Sequence, residues 1–322
     1  MRTLLFSLVF CLLTFFSARA EEIYRCSYFK GEGPILDGKV DKKPFWDSLP
    51  VSSDFLVYRE NITASPKTYF KAAYNDEALF IAVFCQDPDI SKKKVRFKDD
   101  EAVYNDDCLE LFIFPDGMET YWQFVVNIEG FRYNGIVNDK KPLFNWSVKT
   151  YQGEDFYSAE IKIPFEIFST VPEKAEKWRF NFCRSIYPPN RDLAGVRKTQ
   201  TWGKSGFRDF SQSNLLLFPD EISETAKKAV KLSLREKITS DMERFAKYKK
   251  DCLQDKNNFT HFTLLEEDFK NIIRELTDLD ALSIGEILSF LRQSNRLTET
   301  AAKMTEKNDE IKGRVLLKSF FE

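Results

Sequence analysis

From Ile23 to Asp220 the apolar residues fall in short or alternating runs cut by turn residues, and never hold helical spacing for long. Alternation over roughly 4–8 residues bounded by Gly, Pro, Asn and Asp marks strands, because successive side chains of a strand point to opposite faces. The clearest runs are 68–74, 78–86, 108–114, 121–128, 144–150, 155–163, 178–186 and 215–218. The breaks between them include Asn75-Asp76-Glu77, Asp87-Pro88-Asp89, Pro115-Asp116-Gly117, Glu129-Gly130 and Pro188-Pro189-Asn190. Many short strands at this spacing specify a sandwich or barrel, with Pro164-Phe165-Glu166-Ile167 as one helical turn after a strand.

The period changes after Pro219. Apolar residues recur at Ile222, Ala226, Val230, Leu234, Ile238, Met242, Phe245 and Cys252, with Lys and Glu at most other positions. That is helical spacing. Further helices are expected at about 264–276, 283–293 and 298–318, with Asn257-Asn258 as the break after the first. The stripes are too wide and irregular for a strict coiled coil. A small helical bundle, or a helical arm packed on the β domain, fits them. Met1 to Ala20 reads as a secretory signal: Arg2, an apolar run from Leu4 to Phe16, then Ala18-Arg19-Ala20. The expected organisation is therefore a signal over 1–20, a mainly β domain over 21–220 and a helical region over 221–322. No later stretch has transmembrane length, so the mature chain is expected to be exported, periplasmic or extracellular.

Lys and Arg number 48 against 50 Asp and Glu. This balance speaks against nucleic acid as a partner. Five cysteines remain after the signal, none in a CxxC pair, so neither a zinc site nor a disulfide framework is indicated. Cys85 and Cys108 are the one pair to examine for a bridge; buried free thiols are the alternative. The single histidine, His261, lies in the helical half, which leaves nothing from which to build a Ser-His-Asp triad or a His-rich metal site. Paired carboxylates are the one enzymatic option, with Asp106, Asp107 and Glu110 as acid and base of a glycoside hydrolase. Structural calcium is a softer expectation, on Asp87, Asp89, Asp99, Asp100, Asp106 and Asp107, without assignable ligands.

The segment from Tyr104 to Phe114 carries the most chemical information. An acidic loop led by an aromatic enters a strand that sends Leu109, Leu111 and Ile113 to one face and Cys108, Glu110 and Phe112 to the other. A carboxylate on the second face needs water, an ion or a ligand. Tyr104 and Phe207 both fall in polar loops. Aromatic faces stack on the apolar faces of sugar rings, and carboxylates and amides hold the hydroxyls, so a carbohydrate is the expected partner.

Further stretches carry a family resemblance. Ile35-Leu36-Asp37-Gly38-Lys39-Val40-Asp41 with Pro44-Phe45-Trp46 is similar to the opening of family 9 carbohydrate-binding modules. Tyr74 to Phe80, running on to Cys85-Gln86-Asp87-Pro88, resembles their second strand pair. Asn105 to Phe112, Gln123 to Asn127, Tyr157 to Phe165, Trp178 to Phe182, and Thr201-Trp202 with Phe207 and Asn214-Leu215 follow in the family's order, over about residues 23–220. The resemblance implies an antiparallel, DOMON-like β-sandwich that binds sugar ends, is non-catalytic and supports polysaccharide breakdown. It implies Tyr104 and Phe207 as an aromatic clamp and Glu110 as the acceptor. The family's arginine position falls on Val125, where Gln123 and Asn127 share its face and substitute in part. Arg184 either reaches the site from a strand end or, by its parity with Phe180 and Phe182, forms a structural ion pair. Haem, which some DOMON-type relatives bind through Met and His, is not supported. A second expectation makes the sandwich a scaffold whose helical tail binds a protein partner at the cell envelope.

Overall fold

The computed structural model describes residues 21–41, 43–60, 62–137, 139–189, 197–203, 207, 208, 210, 214–252 and 256–321. The expected signal, 1–20, lies outside them. Strands run in the order β1 (Ile23–Arg25), β2 (Ser27–Tyr28), β3 (Phe55–Val57), β4 (Thr68–Tyr74), β5 (Ala78–Gln86), β6 (Cys108–Phe114) and β7 (Trp122–Asn127). Then come β8 (Arg132–Ile136), β9 (Asp139–Lys140), β10 (Ser147–Gln152), β11 (Phe156–Pro164), β12 (Glu176–Ile186), β13 (Lys198–Trp202) and β14 (Asn214–Phe218). The larger sheet has the order β1-β14-β12-β6-β7-β8-β9, with β13 joining β12 to β3; the smaller is β10-β11-β5-β4-β2. Pairing is antiparallel except at two edges, where β1 runs parallel to β14 and β2 parallel to β4. Cys26 separates β1 from β2, so one extended N-terminal stretch closes an edge of each sheet.

The two sheets face each other over an apolar core. Leu109, Leu111 and Ile113 of β6 meet Phe70, Ile81, Val83, Ile161 and Ile163 of the smaller sheet in it, all fully buried or nearly so. Trp122, Trp178 and Trp202 belong to the same core, whereas Trp46 lies on the far side of the smaller sheet with Phe80 and Ala82. There residues 35–46 wrap around one carboxylate. Glu160 of β11 accepts hydrogen bonds from the Asp37 and Gly38 amides (2.7 and 2.8 Å), Lys43 Nζ (2.7 Å) and Trp46 Nε1 (2.6 Å). Gly38 has φ +84°, and a Cβ on it would lie 2.4 Å from the Thr150 carbonyl carbon, so this turn requires glycine. The Asp-Gly and Phe-Trp pairs of the opening motif are thus parts of one structural clasp.

Three long helices follow the short α1 (Pro44–Asp47): α2 (Glu224–Cys252), α3 (Lys256–Glu275) and α4 (Ile284–Phe321). They are docked rather than free. Ile222, Leu234, Ile238, Ile272, Leu276, Ile284, Ile287 and Leu288 continue the core of the sandwich. Arg292 donates to the Gly117 carbonyl (3.0 Å) and Tyr74 Oη to that of Asp220 (2.8 Å). Two helix expectations need correction. Asn257 and Asn258 lie inside α3, and the expected helices 283–293 and 298–318 are one helix. The polar interval between them is held from below: Ser294 Oγ donates to Asp241 Oδ2 of α2 at 2.7 Å, and Thr298 Oγ1 to the Asp241 carbonyl at 3.3 Å. The His261 side chain lies outside the described residues. Among those residues no helix is long and apolar enough to cross a membrane.

Of the two alternatives for Cys85 and Cys108, a bridge or buried free thiols, the second is found. Cys26, Cys85, Cys108 and Cys183 are all free and buried, and Cys85 points into the core while Cys108 lies on the outer face of the larger sheet. Glu176 opens β12, and burial pushes its carboxyl from 4.5 up to about 7, against the Glu173 amide and the Trp178 indole. A folded-state value above the unfolded one means that this stability is present below pH 4.5 and lost as pH rises through 7. Glu176→Gln should therefore match wild type in urea unfolding at pH 4 and exceed it at pH 8 by about 1–2 kcal/mol, discounted for partial exposure. Equal stability at pH 8 would contradict this.

Candidate functional site

β6 sits between β7 and β12, and its outward face forms the floor of the site. Register sets Val125 and Cys183 opposite Glu110, Gln123 and Asn181 opposite Phe112, and Asn127 and Ser185 opposite Cys108. Two apolar clusters flank Glu110 on this face. Val103, Cys108, Val125 and Tyr133 form one; Phe112, Tyr121 and Cys183, with Phe207 and Phe210 against them, form the other. Tyr104 belongs to the first side: its ring, 37% exposed, meets Tyr133 edge-on with centroids 5.2 Å apart. Phe207 belongs to the second, edge-on to Tyr58 at 5.3 Å and to Phe112 at 6.2 Å. Its backbone is pinned by Asn181 Nδ2 donating to its carbonyl (2.9 Å) and by its own amide donating to Cys183 Sγ (3.3 Å).

Glu110 lies between the two clusters and is 3% exposed. Gln123 Nε2 donates to its Oε2 at 3.1 Å. Its Oε1 has no hydrogen-bond partner among the described residues, and the Arg197 Nη2 atom stands 3.9 Å away. Burial raises the Glu110 carboxyl above its ordinary range, while Arg197, Gln123, Arg208 and Ser185 pull it down. A buried carboxylate oxygen left without a donor is costly, so the position favours an incoming hydroxyl or amide.

Arg197 and Tyr58 escaped the sequence reading. Arg197 precedes β13 on the parity of Thr199 and Thr201, which pair with Ser185 and Cys183, so it continues the outward face. Its Nε donates to Thr199 Oγ1 at 3.2 Å, and its guanidinium lies over the Phe207 ring, 5.2 Å from the centroid. The polar alternation of 197–201 was the only signal, and it is too short and too hydrophilic to read as a strand.

Of the expected site residues, Glu110, Gln123 and Phe207 are brought together, and Tyr104 stands across the floor from Phe207. Asn127 and Arg184 are not part of this group. Asn127 donates to the Phe97 carbonyl (3.1 Å) and accepts from the Glu129 and Phe131 amides (3.2 and 3.0 Å), which fastens the β7–β8 turn. Arg184 is fully buried on the core side of β12, donating to Thr68 Oγ1 (2.9 Å) and Asp87 Oδ2 (3.1 Å). The parity alternative, a structural ion pair, is the arrangement found. Asp107 also turns away from Glu110, toward Lys93 and the Tyr187 amide. Asp107, one residue before β6, and Glu110 thus have separate sets of partners.

Comparison with known proteins bears on the same domain. Residues 50–147 match the family model described as carbohydrate-binding family 9. No curated protein matches the chain in sequence. Among solved structures, the fold is similar to a family 9 carbohydrate-binding module from Caldicellulosiruptor kristjanssonii in complex with cellotriose. Identity there is 18%, over 64% of this chain and 97% of that one, with a TM-score of 0.47. The same module in complex with glucose gives 18% identity, 63% and 98% coverage and a TM-score of 0.46.

Proposed function

We propose that this chain, whose residues 50–147 match the model of carbohydrate-binding family 9, is an exported protein that holds a sugar ring on the outer face of the larger sheet and leaves it chemically unchanged. The observation that carries this is the unused Oε1 of buried Glu110 between two aromatic clusters. A sugar hydroxyl would donate to that oxygen. Gln123 and Arg197 would supply donors to neighbouring ring oxygens, and Tyr104 and Phe207 would border the apolar faces of the ring. The helical region buttresses the sandwich through a shared core, which favours a supporting role for it over separate attachment. Met1 to Ala20 would direct export, and a module of this kind would serve polysaccharide breakdown by keeping its protein on the substrate.

Calorimetric titration of the mature chain with neutral and acidic oligosaccharides tests the proposal. Binding is expected, and Glu110→Gln, Tyr104→Ala and Phe207→Ala should each weaken it by roughly tenfold, about the worth of one charge-assisted hydrogen bond or one aromatic contact. Absence of binding to any glycan, or affinities that these substitutions leave unchanged in folded variants, would overturn it.

A further inference from the structure

We infer that the sugar preferred by this site carries a carboxylate, a uronate unit held by Arg197 on the Phe207 side of Glu110. The inference rests on the sugar-binding reading above and narrows it to a substrate class. It starts from an imbalance of charge. The Arg197 guanidinium stands 3.9 Å from the single carboxylate of Glu110 and over the Phe207 ring, and Arg208 follows Phe207 in the chain. Arg208 is solvent-exposed and also acts on Tyr121 in the Phe207 cluster. Arg197 pairs with Glu110 at 3.9 Å, beyond hydrogen-bond distance, so its N–H groups are held by Thr199 and the Tyr187 side chain rather than by that carboxylate.

Space continues on the far side of Arg197. A cleft of about 430 Å³, within the range of small-ligand sites, is lined there by Tyr58, Glu60, Ser65, Arg197, Lys198 and Thr199, with Val57 and Gln200 behind them. Arg59 adds a further cation, its guanidinium 5.0 Å from the Tyr58 ring centroid. Arg197 thus stands between Glu110 and this cleft, where Arg59 and Lys198 accompany Glu60, Lys198 from the opposite parity of β13. Arg197 links the two spaces, touching the Glu110 floor from one side and the cleft from the other. A neutral sugar would satisfy Glu110 and leave the surplus cations to water. A uronate would do both, because a planar guanidinium matches a carboxylate with paired, charge-assisted hydrogen bonds. The guanidinium would also stand between the two carboxylates and screen their repulsion. Val125 lies opposite Glu110 on β7, so the positive charge of the site lies on the β13 side, toward Phe207 and Tyr58.

Isothermal titration of the mature chain with trigalacturonate, its methyl ester and cellotriose decides the matter. Trigalacturonate should bind roughly tenfold or more tightly than its ester at about 20 mM salt, and the gap should shrink at about 500 mM as partly exposed charges are screened. Arg197→Gln should remove the preference, so that acid and ester bind alike. Equal or tighter binding of the ester or of cellotriose would overturn the inference and leave the sugar-binding proposal standing. A chain that binds none of the glycans tested would overturn both.

Discussion

Glu160→Ala is expected to cost the fold about 3–5 kcal/mol, read as a fall of ~10 °C in thermal unfolding and a matching shift in urea midpoint. The size follows from what the carboxylate does. It is fully buried and accepts from four donors that belong to one loop, the amides of Asp37 and Gly38, the Lys43 ammonium and the Trp46 indole. Removing it leaves the indole N–H and the Gly38 amide buried without partners, and donors stranded in this way are more costly than the net worth of the bonds lost. The loop it fastens carries Phe45 and Trp46, which cover Phe80 and Ala82 on the outside of the smaller sheet. Trp46→Phe is a graded control: it removes one donor and keeps most of the ring, and should cost about 1–2 kcal/mol. A loss within about 1 kcal/mol of wild type for Glu160→Ala would mean that the loop is held by its apolar contacts alone.

The clasp also shows where sequence reading stops. Glu160 lies within the strand run 155–163 on the parity away from the core, and a carboxylate there reads as solvated. Its donors come from 114–123 residues earlier in the chain, and no local pattern announces them. β6 was legible because Leu109, Leu111 and Ile113 fall at every second position toward a core, and the same alternation put Glu110 on the outer face. Gln123 followed from the same rule applied to β7. Arg184 carried its correct placement in its parity with Phe180 and Phe182. Asn127 did not, because a side chain on the right face can still be consumed by a turn. Arg197 and Tyr58 lay beyond reach for a different reason: β13 is short and β3 is a short edge strand beyond it, and the pairing of both depends on β12 being in place. On the helical side, Ser294 and Thr298 imitate a break because their partner, Asp241, is on another helix.

The same logic of partnered carboxylates governs the expectation of calcium and gives the second large prediction. Each acidic residue considered for a metal stands beside a donor of the chain itself. Asp89 pairs with Lys92 (2.7 Å), Asp99 with Arg132 (3.3 Å) and Asp100 with Lys140 (3.3 Å), while Asp106 Oδ2 accepts from the Arg96 and Phe97 amides (3.1 and 3.0 Å). The most enclosed position is taken by Lys93. Its ammonium donates to Asp107 and to the Tyr187 carbonyl (2.7 Å) and lies 3.4 Å from Asp87, with its side chain 3% exposed. Oxygens around one buried cation are what a calcium site offers, and here the cation is covalently part of the chain. We therefore propose that Lys93 supplies the charge locally and that no ion is needed. The wild-type melting temperature should be the same in EDTA and in about 1 mM calcium, a concentration that fills extracellular modules of ordinary affinity. Lys93→Met should lose about 3–5 kcal/mol in urea unfolding, because burial already pushes the Asp107 carboxyl up and the nearby ammonium, with the Tyr187 amide, draws it back. The loss should also reach the candidate site, since Tyr187, whose carbonyl Lys93 holds, is a side-chain partner of Arg197: folded Lys93→Met should bind trigalacturonate more weakly than wild type. Stabilisation of the wild-type chain by calcium would overturn the assignment, as would a Lys93→Met variant of undiminished stability.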